Sequence, residues 1–313
     1  MTAELSYASQ RYYRESGRFS LVKFPLATVV ALLASVVCGG IYAVCDFYSP
    51  LVYLDFALTI GFGVGTGALV GYFIREAEVR NRALRIVISL LACIVAYYAA
   101  WIIWIVALSD HNGDRLEMPD ILRLADPTVA WRIILQINHV GAWSLGDPAR
   151  TSKYSPETGT FLWIVWIAEA VTIFAGFIYM AEKIGGGLPY CETCGRWARS
   201  GKELFNLRLT DLAALRAQLE SRDFAPMLAQ SPKGMADQTW LEVWTHSCDQ
   251  CQEFNTLSVK HVKQTVDRKG RLHRQVRIKI SRLLMNTVDL RAIQSILDQQ
   301  VADRTKSLWV ADD

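Results

Sequence analysis

Four stretches of this chain are too long and too apolar to be the helices of an ordinary soluble core, and they set the architecture. A helix needs about 20 residues to cross the roughly 30 Å hydrocarbon layer of a bilayer. The first stretch, Lys23 to Phe47, has no charge from Phe24 to Cys45, and the second, Leu51 to Ile74, carries only Asp55. The third, Ile86 to Ser109, is free of charge, and the fourth, Thr158 to Ala181, contains only Glu169. Residues 23–182 are therefore expected to form a four-helix transmembrane domain. The first stretch reads as a retained helix, not a cleaved signal: its apolar run exceeds the roughly 7 to 15 residues of such a region, and Val37 precedes Cys38 where lipoprotein processing wants a small residue.

Short loops rich in Lys and Arg stay in the cytoplasm. The arm of residues 1–22 holds Arg11, Arg14 and Arg18, with Lys23 beside them. The second connection holds Arg75, Arg80, Arg82 and Arg85, whereas the turn from Asp46 to Pro50 has no basic residue. This pattern predicts a multi-pass protein of the cell membrane with both termini cytoplasmic. Trp101, Trp104, Trp163 and Trp166 then gather toward the outer interface, where tryptophan is favoured. The outer loop, residues 110–157, has its own helix signal: Asp126 and Pro127 as cap and first turn, then Val129, Ile133, Ile137 and Val140 at helical spacing. That helix is too short to span, so it either lies in the interface or dips in as a re-entrant element.

Within the second stretch, Gly63, Gly67 and Gly71 recur every four residues and let another helix approach closely, inside the chain's own bundle or across a homo-oligomer interface. The run is no dinucleotide loop, because it lies in an apolar span and follows no strand. Carboxylates inside a membrane are costly and point to function. Glu169 is expected to face the bundle, either protonated or bonded to a hydroxyl such as Thr66 or Thr59, and Asp55 to reach outer water; together they are candidate pathway residues for a channel or transporter. Cys38, Cys45 and Cys93 sit in apolar helices and read as small hydrophobes.

After the fourth stretch the composition changes. Residues up to Glu182 hold 13 Lys and Arg against 15 Asp and Glu, and residues from Lys183 onward hold 20 against 15. Gly185, Gly186 and Gly187 form a seam, followed by Cys191-Glu192-Thr193-Cys194 and, later, Cys248-Asp249-Gln250-Cys251. Each Cys-x-x-Cys turn presents two thiolates on one side, and two such knuckles can close a tetrahedral shell around a structural Zn²⁺. A reducing cytosol suits that role. A thiol–disulfide switch, or His246 replacing one cysteine, are the alternatives.

The run Tyr190-Cys191-Glu192-Thr193-Cys194-Gly195-Arg196-Trp197 resembles a zinc-ribbon knuckle, with glycine after the second cysteine for a positive φ. The second knuckle has Gln252 where that family often has glycine, and the likeness covers about residues 188 to 266. Between Cys194 and Cys248 lie 53 residues, against roughly 15 to 20 in the compact pattern. An insertion must fill the gap: Leu212, Leu215 and Leu219 mark a helix, Pro226 to Met235 reads as irregular, and Thr239 to Thr245 as a strand.

Two strands are expected over Glu253–Val266 and Arg271–Leu283, joined by Asp267-Arg268-Lys269-Gly270. Leu272, Val276, Ile278 and Ile280 are expected on one face, with Arg274 breaking the alternation. From Lys260 to Arg282 there are nine Lys and Arg and one acid. Lys260, Lys263, Arg271, Arg274, Arg277 and Lys279 are candidate contacts for an anionic partner: membrane lipid headgroups, a cytoplasmic protein, or nucleic acid, for which the strand lacks interleaved aromatics. A final amphipathic helix, capped by Asn286 or Thr287 and marked by Leu290, Ile293, Leu297 and Val301, is expected to dock on this sheet. No phosphate loop, His-Glu-x-x-His or nucleophile–base pair appears, so no enzyme is expected.

The fold class predicted is an all-α four-helix transmembrane domain plus a small cytoplasmic α+β zinc-ribbon-like domain over residues 188–313. The predicted function is a membrane protein, homo-oligomeric, whose zinc module binds or regulates a partner at the inner face. The alternative is a channel or transporter gated by that module.

Overall fold

A computed structural model describes residues 10–49, 52–111, 113, 116–141, 157–199, 201–208, 211–224, 238–251, 253–267, 269 and 271–310. They fall into two units, Ser16–Gly187 and Met1–Glu15 with Leu188–Asp313. The first unit contains four long helices, α1 (Lys23–Phe47), α2 (Val52–Glu76), α3 (Arg82–His111) and, after two short ones, α6 (Thr160–Gly185). All four are long and apolar enough to cross a membrane, which suggests a membrane protein. Among apolar side chains in lipid, helices gain little from hydrophobicity and associate through close packing. Two stripes of small residues do this here.

The first stripe is Gly63, Gly67 and Gly71 on α2, and it lies against the backbone of α6. A Cβ on Gly67 would sit 2.3 Å from the Phe177 carbonyl oxygen, and one on Gly71 2.7 Å from that of Ala181. The second stripe, Ala31, Ser35, Gly39 and Ala43 on α1, is buried and meets α3, where a Cβ on Gly39 would come within 2.2 Å of the Ala96 carbonyl oxygen. The glycine signal on α2 was evident in the sequence. That on α1 was not, because alanine and serine share it. Helix α6 runs through Gly185, which packs on Ile74, so the glycine seam begins only at Gly186.

The connection between α3 and α6 holds α4 (Met118–Leu124) and α5 (Pro127–Val140). The side chain of Asp126 accepts the Thr128 N–H at 2.8 Å and caps α5 as the sequence implies. Ile137 of α5 and Leu124 of α4 join Ile105, Leu162 and Trp166 in a small apolar cluster. Helix α4 had no periodic signal, being only seven residues long.

The second unit begins with a hairpin, β1 (Tyr190–Cys191) and β2 (Arg196–Trp197). Then β3 (Lys202–Arg208), β4 (Thr239–Ser247), β5 (Asn255–Val266) and β6 (Leu272–Met285) form an antiparallel meander in sequence order. Helix α7 (Leu212–Ser221) crosses between β3 and β4, and α8 (Thr287–Val310) ends the chain. Leu215 and Leu219 of α7 and Ile293 of α8 pack on Leu241, Val243, Leu257 and Val259 of the sheet. Asn286 caps α8: its side chain accepts the Asp289 N–H at 2.6 Å while Asp289 accepts the Asn286 N–H.

One expectation for β6 fails. The β5–β6 register shifts at Val259/Lys260, so Ile280 pairs with Val259 but Ile278 with Lys260. A bulge inserts one residue and turns the following side chains over. Ile280 is therefore buried while Leu272, Val276 and Ile278 are exposed on the other face. Strand β3 was also missed, its Lys202-Glu203 start masking a short strand. The stretch Pro226 to Met235, Gln252, Arg268, Gly270, the Val301 side chain and residues 142–156 of the outer loop lie outside the described residues.

The arm pairs with the sheet. Tyr12 bridges antiparallel to Leu283, the Tyr13 N–H donates to the Arg282 carbonyl at 2.8 Å, and the Leu284 N–H donates to the Arg11 carbonyl at 2.9 Å. Arg11 and the Tyr12 hydroxyl both reach Glu220 of α7. These bonds hold the Glu220 carboxyl below its ordinary range.

Gly67→Ala should destabilise the helix bundle by about 2 kcal/mol, the scale of an overpacked core, in thermal unfolding of detergent-solubilised protein. Gly61→Ala, where an added Cβ meets nothing within 4 Å, should be neutral or stabilising.

Candidate metal centre

The two cysteine pairs meet although 53 residues separate them. The insertion between them is folded as β3, α7 and β4, and pairing of β3 with β4 brings Lys202 opposite Thr245. The chain thus returns to its starting point, and the Arg199 N–H donates to the Ser247 carbonyl at 2.9 Å, joining the knuckles directly. An Arg199–Asp249 ion pair at 2.8 Å spans the same seam. Loop closure costs only slowly more entropy with length, and here the closure is made by strand pairing.

Each knuckle has the local chemistry its residues imply. Gly195 adopts φ +63, the left-handed turn that glycine allows, and the Cys194 N–H points at the Cys191 sulfur. In the second knuckle the N–H groups of Glu253 and Phe254 point at Cys251, and the Cys248 N–H donates to the Phe254 carbonyl at 2.9 Å. Tyr190 and Trp197 close the base of the first knuckle edge to face, with ring centres 5.1 Å apart.

The sulfurs of Cys191, Cys194, Cys248 and Cys251 all lie within 4.8 Å of one another. Cys191 Sγ and Cys251 Sγ are 3.8 Å apart. Four sulfurs bound tetrahedrally at about 2.3 Å from an ion would lie about 3.8 Å from each other. The cluster could hold a metal ion, and its four donors would complete a tetrahedron. Every described cysteine is free. His246 lies outside the cluster with its ring over Gly201. Burial, together with the nearby cations Arg282 and Lys260, holds its pKa below the ordinary value.

Among the thiols themselves, burial raises the pKa of Cys191 and hydrogen bonding to the Cys251 and Cys248 thiols raises that of Cys194. Burial also opposes ionisation of Cys251, but the Phe254 and Glu253 N–H groups and the neighbouring thiols overcome it and lower that thiol to about 7.

Tyr13 from the arm packs beside the site. Its hydroxyl accepts the Tyr190 N–H at 3.0 Å, and its ring meets Phe254 edge to face at 5.8 Å. It thus touches a neighbour of one ligand in each knuckle. Sequence reasoning missed it, because nothing local in Arg11-Tyr12-Tyr13 announces a partner some 180 residues away.

The other nominated residues separate into groups. Lys263, Arg271, Arg277 and Lys279 are exposed, but Arg274 and Lys260 are engaged on the sheet. Arg274 hydrogen-bonds buried Glu242, whose carboxylate also accepts the indole N–H groups of Trp240 at 3.0 Å and Trp244 at 3.2 Å. The Lys260 ammonium stands 3.6 Å over the Trp244 ring. In the helical unit, Glu169 does not bond Thr66 or Thr59 as expected. Tyr42 donates to it at 2.7 Å and contacts Thr59 at 3.1 Å. A tyrosine long enough to reach across from α1 was overlooked in favour of nearer hydroxyls. Asp55 lines the same cavity as Glu169, and Gly63, Gly67 and Gly71 are filled by α6. Arg85, read as a loop charge, is buried against the Val79 carbonyl and pairs with Glu182 at 3.3 Å.

No protein-family model, curated protein or solved structure matches the chain.

Purified protein should contain one metal ion per chain by elemental analysis, and Cys248→Ser should abolish it. Tyr13→Ala should lower the melting free energy of the sheet unit by about 3 kcal/mol, the cost of emptying a buried aromatic site, as measured by thermal unfolding.

Proposed function

We propose that the four-cysteine centre is a structural zinc site in a membrane protein, and that it holds a basic sheet at the inner membrane face for an anionic partner. The observation that carries this reading is the gathering of four cysteine sulfurs within 4.8 Å of one another. Four thiolates saturate zinc and leave no position for water or substrate, so the metal stabilises and does not catalyse. Its binding is worth on the order of 10 kcal/mol, enough to organise a unit of this size.

Two features support a topology with both ends in the cytoplasm. Basic residues flank the first helix and fill the second connection. The arm also pairs with β6, so residues near both ends of the chain share one unit, as an even number of crossings requires. The exposed cations Lys263, Arg271, Arg277 and Lys279 suit lipid headgroups, each worth about 1 kcal/mol near an anionic surface. The glycine stripe that suggested a homo-oligomer is occupied within the chain, so the proposal needs no second subunit.

Zinc should be the metal recovered, and maleimide labelling of intact cells should leave Cys191 and Cys251 unmodified. A zinc-loaded fusion of residues 1–15 to 188–313 should co-float with phosphatidylserine vesicles, and Lys263→Glu with Arg277→Glu should halve that fraction or more at about 0.1 M salt. Flotation unaffected by charge reversal, or absent altogether with no protein captured, would remove the basis for a docking surface.

A further inference from the structure

We infer that the cavity within the helical unit is a binding site for an organic ammonium with an apolar body. The cavity measures about 520 Å³ and lies where the C-terminal parts of α1 and α3 meet the N-terminal parts of α2 and α6. That size matches the clefts that hold small organic molecules and far exceeds the roughly 30 Å³ share of one water.

Its walls combine two chemistries. Trp101, Trp104 and Trp166, with Tyr97 and Phe56, supply aromatic surface, and Asp46, Asp55 and Glu169 supply three carboxylates. No Lys, Arg or His lines the cavity among the described residues. The donors that reach these carboxylates are neutral: the Tyr42 hydroxyl to Glu169 and the Trp104 indole to Asp46. Among the described residues, Asp55 Oδ1 is buried with no hydrogen-bond partner. Carboxylates in so apolar a setting are costly until a positive charge or a proton joins them.

A proton would settle the charge and leave the volume unfilled. A bare divalent ion would want six or more oxygen ligands and make no use of indole walls. A substituted ammonium satisfies both features, because aromatic faces attract a cation through their quadrupole while the carboxylates neutralise it. Asp55, which lines the cavity, is one of the carboxylates left to neutralise that cation.

The test uses full-length protein in zwitterionic nanodiscs, empty nanodiscs as baseline, and tryptophan fluorescence as the signal. Benzyltrimethylammonium is titrated against neopentylbenzene, its uncharged isostere. The ammonium should bind saturably and at least about tenfold more tightly than the isostere, a difference of about 1.4 kcal/mol. Asp55→Asn should weaken the ammonium alone by about fivefold or more, with helix content by circular dichroism and metal content unchanged. Glu169→Gln should do the same; because that change also disturbs the Tyr42 bond, Asp55→Asn decides the matter if the glutamine variant does not fold. Equal affinity for the two probes, no saturable ammonium signal, or an Asp55→Asn protein that binds like the parent would each overturn the inference. None of these outcomes bears on the metal centre.

Discussion

Four thiol sulfurs within 4.8 Å of one another repel when ionised and gain little when neutral, so a positive charge among them could favour their gathering. That gathering organises the whole sheet unit. It fixes the β1–β2 hairpin beside the end of β4, gives β3 and β4 a reason to pair across a long insertion, and sets the Tyr190 N–H where the Tyr13 hydroxyl receives it. Without an ion, the apolar cluster of Leu241, Val243, Leu257 and Val259 would still favour a sheet, and the Arg199 contacts to Ser247 and Asp249 would be left to hold the knuckles together.

The helical unit rests on a different constraint. Its interfaces are made by absent side chains: Gly39, Gly63, Gly67 and Gly71 let carbonyls of a neighbouring helix approach to distances that no Cβ would tolerate. The closeness at one end of the bundle contrasts with the cavity toward the other, where Trp101, Trp104 and Trp166 keep the helices apart. Small residues and large aromatic ones thus divide the same helices into a tight part and an open part.

What was legible in the sequence was local. The apolar stretches, the cap at Asp126, the cysteine pairs and the turn at Gly195 each rest on residues within a few positions of one another, and each appears in the structure. What escaped depended on distant partners or on a single inserted residue. The bulge beside Val259 turned Ile278 outward, Tyr42 reached Glu169 from another helix, Glu242 paired with Arg274, and Arg85 found Glu182. None of these leaves a periodic trace in the chain.

The pairing of Tyr12 and Tyr13 with β6 imposes an order on biosynthesis. The arm is made before the four apolar helices, yet its hydrogen-bonding partners Arg282 and Leu284 emerge after them. The pairing of the arm must wait until the last strand has been made. A tag or chaperone that occupies the arm during that interval would delay the last strand from acquiring its edge.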